Sequence, residues 1–200
     1  MKVRDHFSTP IAEGTLSGAS ALIKSLLKEI ESAQKEDRLG REWSDANYRG
    51  GYTSYASLNN LHHRYPSFMA FEKALQKEAE GFAKKLHWNL KGLSLRMTDC
   101  WANVMPKGTY HTLHLHPHSV LSGVFYLTTP PGSVPLKLED PRMPFFMNAP
   151  QGKPMYVEVP ARAGQFVMFE SWLRHEVPPN QSQKPRVSIS FNYTLESNDE

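Results

Sequence analysis

Three histidines carry the first chemical suggestion in this 200-residue sequence. His114 and His116 stand two apart in His114-Leu115-His116-Pro117-His118, and on an extended chain residues two apart project to the same face. Two imidazoles so placed reach one ion without bending the backbone. A third ligand must come from elsewhere, and His175, in Leu173-Arg174-His175-Glu176-Val177, is the candidate. Imidazole suits iron, zinc, copper and nickel, so residue type does not choose the metal. A lone buried histidine is more often a hydrogen-bonded core residue, but a same-face pair with a distant third is a stronger signal. His111 falls on the opposite parity from His114, and His118 follows Pro117 as the chain leaves the strand. Neither is expected as a ligand; each is read as an outer partner or as exposed.

Eleven residues after His175, Arg186 opens the run Arg186-Val187-Ser188-Ile189-Ser190-Phe191-Asn192-Tyr193. One face carries Arg186, Ser188, Ser190 and Asn192; the other carries Val187, Ile189, Phe191 and Tyr193. With its polar face in water this is an ordinary surface strand. With the polar face turned inward, a guanidinium and a hydroxyl two residues apart can grip a carboxylate, for which the planar, permanently charged fork of arginine is suited. Which face is inside decides the function.

The elements that must position these groups follow from periodicity. Two hundred residues make one domain able to bury a full core. Residues 1–92 read as a helical and loop support, and 93–195 as a β core. Val3 to Ile11 is a short strand or extended arm, set off by Gly14 and Gly18. Ser20 to Lys35 places Leu22, Ile23, Leu26, Leu27 and Ile30 on one helical face. Residues 36–66 are polar, with Trp43, Tyr48, Tyr52 and Tyr55 at no regular period; they read as an ordinary connection, with a substrate lip as the alternative. A second helix begins near Pro66 with Ser67 as N-cap, and Phe68, Phe71, Leu75, Phe82 and Leu86 form its stripe. From Leu93 the period drops to two, and about eight short strands follow. The implied fold is mainly β with N-terminal helices: a double-stranded β-helix, or cupin-like jelly roll, with the helices packed on one sheet. Pro141 to Pro154, rich in proline, is a loop that either closes over a substrate or is passive.

Composition excludes several classes. A net charge of +3, spread without a basic block, does not point to nucleic acid. The start lacks the apolar run of a signal peptide, and no stretch has the length of a membrane span, so a soluble cytoplasmic protein without membrane contact is expected. Cys100 is the only cysteine; it is expected to be a small buried hydrophobe rather than a nucleophile. Surplus apolar surface on the helices is compatible with a homodimer.

The segments Trp101-Ala102-Asn103-Val104, His114-Leu115-His116-Pro117, Leu121-Ser122-Gly123-Val124-Phe125-Tyr126, Asp140-Pro141-Arg142, His175 with Val177, and Arg186 to Asn192 resemble, in order and spacing, the 2-oxoglutarate and iron(II)-dependent oxygenases, in particular a bacterial and phage branch. The resemblance covers essentially everything after about residue 93. It implies Fe(II) and 2-oxoglutarate as cofactors, His114 and His175 as the family's first and last metal histidines, and Arg186 with Ser188 as the anchor of the cosubstrate's distal carboxylate. Tyr126 and Asn103 are assigned to the cosubstrate site with them, Tyr126 having a core aromatic as its alternative role. One position departs from the pattern: His116 stands where the family has a carboxylate. The site is then one unit more positive, which favours a dianionic cosubstrate and disfavours the oxidised metal states that oxygen activation passes through. Either three histidines suffice, or Asp99, Asp140 or Glu176 supplies a carboxylate, or the usual reaction is lost.

The resemblance implies a hydroxylase of unidentified substrate, small molecule or protein. Two other readings fit the residues: a cupin-like three-histidine dioxygenase or isomerase that needs no 2-oxoglutarate, and a non-catalytic metal-binding jelly roll.

Overall fold

The computed structural model describes residues 1–4, 6–48, 50–143, 147, 152 and 154–198. Three helices and ten strands follow one another as β1 (Ala12–Thr15), α1 (Ala19–Glu36), α2 (Arg38–Asn47), β2 (Tyr52–Thr53), a 3-10 turn (Leu61–His63), α3 (Pro66–Lys85), β3 (Leu93–Met105), β4 (His111–His114), β5 (Leu121–Thr128), β6 (Leu136–Glu139), β7 (Tyr156–Val159), β8 (Gln165–Glu170), β9 (His175–Val177) and β10 (Arg186–Ser197). The strands form two antiparallel sheets, in the orders β1-β8-β5-β10-β3-β2 and β4-β9-β6-β7. This is the double-stranded β-helix expected, with the helices on the larger sheet.

Two cores flank that larger sheet, which explains why β5 is buried along seven of its eight residues. Its odd-numbered side chains, Leu121, Phe125 and Leu127, join Leu26 and Ile30 of α1 and Phe68, Phe71 and Leu75 of α3 in the outer core. Its even-numbered side chains, Val124 and Tyr126, join Leu136, Leu138 and Val177 of the smaller sheet in the inner core. A strand covered on both faces reads as a near-continuous apolar run, and β5 does. Gly123 is required by this packing: a Cβ there would stand 2.4 Å from the Phe191 ring, which fills the space over it.

The N-terminal third differs from expectation in four places. The first strand is Ala12–Thr15, not Val3 to Ile11, and Gly14 lies inside it because the Phe166 ring occupies the site of its missing Cβ. Ser67 is not the N-cap of α3; Tyr65 takes that position, and the Ser67 N–H and hydroxyl donate to the Glu29 carboxylate of α1. Residues 36–66 are not simply a connection, since they hold α2, β2 and the 3-10 turn. The β2 strand pairs with β3, so the N-terminal part contributes β1 and β2 to the larger sheet. Helix α2 buries Gly40 and Ser44 rather than an apolar face, with Leu39 and Trp43 exposed. It is held by Asp37, whose carboxylate accepts from the Gly40 N–H at 2.8 Å, the Tyr52 hydroxyl at 2.9 Å and the Ser57 hydroxyl at 2.6 Å.

Eight of the fourteen residues in the proline-rich connection from Pro141 to Pro154 lie outside the described residues. Cys100 is a free, buried thiol whose pKa burial pushes well up, as expected of a small hydrophobe. No helix among the described residues is long and apolar enough to cross a membrane.

The 3-10 turn hides an acid-sensitive group. His62 is 1% exposed, and burial, with the charge of His63, pushes its pKa down to about 4 against the opposing influence of the Met97 backbone and the Asp99 charge. The unfolded ring titrates near ~6.5, so between these values the unfolded chain binds the extra proton and stability falls as pH falls. His62→Leu should remove up to about 3 kcal/mol of the stability lost between pH 6.5 and pH 4. Urea unfolding of both proteins at the two pH values checks this, and equal losses would refute it.

Candidate active site

The polar face of β10 is the inner one. Arg186, Ser188, Ser190 and Asn192 line a cavity of about 460 Å³, while Ile189, Phe191 and Tyr193 pack beneath the helices. From the opposite wall, β4, β9 and the segment after β4 bring His114, His116 and His175 together, with ligand atoms within 4.8 Å of one another. The antiparallel pairing of His114 with His175 creates this meeting, and a backbone bond from the His116 N–H to the Ser171 carbonyl at 3.1 Å holds the extended segment in place.

The rings are arranged as ligands. Nδ1 of His114 lies 2.6 Å from the Thr112 carbonyl and Nδ1 of His175 lies 2.9 Å from the Leu173 carbonyl, so each ring donates from Nδ1 and leaves the Nε2 lone pair for the cluster. Nε2 of His116 is 3.2 Å from Nε2 of His175. His116 is held down to about pKa 4 and His175 to about 3, in both cases by burial first and then by the charge of His114. Both rings are therefore neutral at pH 7, the form that binds a cation.

Among the described residues no carboxylate joins this group. Asp99 lines the cavity but accepts from Asn59 and Asn192; Asp140 pairs with Arg142; Glu176 lies 4.0 Å from Lys137. His118 is exposed, with φ of 67° in the turn after Pro117.

His111 is closer to the chemistry than its parity suggested. A register shift between His111 and His114 turns both toward the cavity, and parity does not survive a bulge. His111 Nε2 lies 2.7 Å from the hydroxyl of Tyr48, which follows α2; burial pushes the phenol pKa up and, with the charges of His114 and Arg186, pushes the imidazole down to about 3. Tyr48 comes from the aromatic stretch read as a connection or a substrate lip; its pairing with His111 was not foreseen. Trp43 and Tyr55, from the stretch flagged as a lip, also line the cavity.

Arg186 is 1% exposed and, among the described residues, has no carboxylate partner; its Nε and Nη1 are buried without hydrogen bonds. Its Cζ lies 4.9 Å from the centre of the Tyr126 ring, whose hydroxyl is likewise buried without a partner. Asn103, opposite Ser188 on β3, donates to Ser190 at 3.0 Å and keeps Oδ1 unpaired. The donor set thus fits a transition metal, and the basic end of the cavity fits a carboxylate.

His116→Ala should weaken divalent-metal binding at least about a hundredfold, and His118→Ala should leave it unchanged. Isothermal titration with Ni(II) or Mn(II) measures both; equal affinities would refute the three-histidine site.

Residues 99–192 match the sequence model of the family described as "Putative 2OG-Fe(II) oxygenase". No curated protein matches the sequence. Among solved structures, a Pseudomonas putida prolyl-4-hydroxylase superposes with a TM-score of 0.64 at 17% identity, over 94% of this chain and 93% of that one. The epimerase SnoN, in complex with Fe3+, α-ketoglutarate and nogalamycin RO, gives 0.64 at 12% over 94% and 81%. A Burkholderia pseudomallei oxidoreductase of the 2OG-Fe(II) oxygenase family gives 0.49 at 18% over 64% of this chain, which spans 58% of that one. The likenesses to the prolyl-4-hydroxylase and to SnoN establish, at these identities, the double-stranded β-helix and nothing finer.

Proposed function

From the match of residues 99–192 to the sequence model of the 2OG-Fe(II) oxygenases, we propose that the protein is an Fe(II)- and 2-oxoglutarate-dependent oxygenase that hydroxylates its substrate. His114, His116 and His175 hold the metal; Arg186, with Ser188 and Asn103, holds the distal carboxylate of 2-oxoglutarate. Arg186 is the observation that carries the reading. A guanidinium buried without a counter-charge costs several kcal/mol, and an anion delivered into the cavity removes that cost.

When bound, iron with its cosubstrate supplies the oxidation of a C–H bond by oxygen, 2-oxoglutarate being decarboxylated to succinate. The chain's own residues set the conditions. Arg186 offers a planar fork to a carboxylate, and the Tyr126 ring behind it fixes the guanidinium plane. Ser188 and Asn103 extend the polar floor next to it. The neutral rings of His116 and His175 present lone pairs, and Trp101 and Phe169 line the cavity with apolar surface that limits water.

A second reading has one observation in its favour, the absence of a carboxylate from the histidine cluster among the described residues. A cupin-like three-histidine dioxygenase or isomerase would use the same metal site without 2-oxoglutarate, and would be indifferent to Arg186.

Arg186→Gln separates the two. Anaerobic titration of the Fe(II)-loaded protein with 2-oxoglutarate should develop a visible charge-transfer band, and the variant should need at least about a hundredfold more cosubstrate for it, as expected for loss of a buried charge-assisted pair. The metal-free variant should melt no lower than the wild type, because an unpaired buried charge has been removed. No band in the wild type, or a band insensitive to the substitution, would overturn the assignment.

A further inference from the structure

The cavity-facing stretch of the β3/β10 ladder carries opposite charges at its two ends. From Arg186 the cavity-facing residues of β10 run through Ser188 and Ser190 to Asn192, and opposite these last three on β3 stand Asn103, Trp101 and Asp99. Arg186 and Asn192 are separated by six residues of strand, about 20 Å at ~3.3 Å per residue. The cavity is therefore cationic where a carboxylate is needed and anionic at the other end.

Asp99 is only half buried. Its Oδ1 accepts from Asn59 Nδ2 at 2.8 Å, and its Oδ2 accepts from Asn192 Nδ2 and Thr98 Oγ1, each at 3.3 Å. All three donors are neutral. Among the described residues no lysine or arginine forms an ion pair with it. Among the described residues the carboxylate thus has no cationic partner, and it has acceptor capacity left over.

Aromatic faces stand beside it. Trp101, two residues on and on the same face of β3, has its ring 5.0 Å from the Tyr55 ring and 5.9 Å from that of His116. Tyr55 is 51% exposed and Trp43 is 41% exposed, so these rings reach the open side of the cavity. A carboxylate next to aromatic faces attracts an ammonium both by Coulomb interaction and through the ring quadrupoles. A neutral group of the same shape gains neither.

We propose that the substrate carries a cationic nitrogen, an amine or alkylated ammonium on a carbon chain, which seats between Asp99 and the Trp101–Tyr55 pair and places the adjoining carbons toward the histidine cluster. The inference rests on the oxygenase reading for the meaning of that placement; the cation site itself requires no metal. It also explains why two opposite charges of one cavity are left unpaired by the protein: each is paired by a different ligand.

The test uses the metal-free, full-length protein and its intrinsic tryptophan fluorescence. Choline is titrated against its neutral isostere 3,3-dimethylbutan-1-ol, and n-butylammonium against n-pentanol. At least one cation should bind saturably and at least about tenfold more tightly than its neutral counterpart, a preference that should fall below about threefold in Asp99→Asn. Tyr55→Ala, at an exposed position, should reduce it severalfold, and decides the matter if Asp99→Asn does not fold. No preference for either cation, or a preference that survives in a folded Asp99→Asn, overturns the proposal and leaves Asp99 as a latch between β3, β10 and Asn59. The charge-transfer titration is run alongside. Cation preference without a 2-oxoglutarate band overturns the oxygenase reading alone; a band without cation preference overturns this inference alone.

Discussion

The arrangement depends on one electrostatic constraint, a guanidinium closed inside the β-helix with no counter-charge among the described residues. Burying Arg186 unpaired is tolerated only because the surrounding sheet is well packed. The outer core of phenylalanine and leucine between the helices and the larger sheet supplies stability without touching the cavity. The inner face of β10 is thereby free to carry Arg186, Ser188 and Asn192, all of which a hydrophobic core would reject. A sheet covered on one side by helices can leave its other side polar, and here that side is the site.

The histidine cluster follows a related logic. Carbonyls of Thr112 and Leu173 fix two of the rings through Nδ1, so the lone pairs at Nε2 converge because the backbone directs them. Burial keeps His116 and His175 neutral, so no proton has to be displaced from these two rings at pH 7 before a cation enters. With three neutral donors, the metal's whole positive charge would remain to attract anions. A dianionic keto acid gains from that, and so does any reading in which the cavity's anion is held from both ends.

Much of this was legible in the sequence. Strand-like runs after Leu93 located β3 to β10 but not β1 or β2, and the parity of β10 separated its two faces without saying which is inside. His114 and His116 were found by spacing, since the extended chain maps sequence distance onto facing, and His175 as a distant third histidine in a strand-like run. Parity failed at His111, where a register shift intervenes that no residue type announces. Helix α2 escaped because it is short and buries Gly40 and Ser44, held by the Asp37 hydrogen bonds rather than by a packed apolar face. Tyr48, at the end of that helix, was flagged only as one aromatic of a possible lip, and its bond to His111 was not foreseen. The family likeness carried the cosubstrate assignment; the spacing of residues alone did not distinguish 2-oxoglutarate from another carboxylate.

The same Asp37 makes the cavity wall a separately anchored unit. One carboxylate gathers α2, Tyr52 and Ser57, and through α2 it sets the positions of Trp43 and Tyr48. The wall is pinned at its hub and mounted on the β-helix through the two-residue strand β2. Side chains of α2 facing the cavity can then be exchanged without moving the histidines on and after β4 and on β9, or Arg186 on β10. Substrate choice can change by exchange of a few aromatic residues on a separately anchored panel, without reopening the folding problem of the barrel behind it.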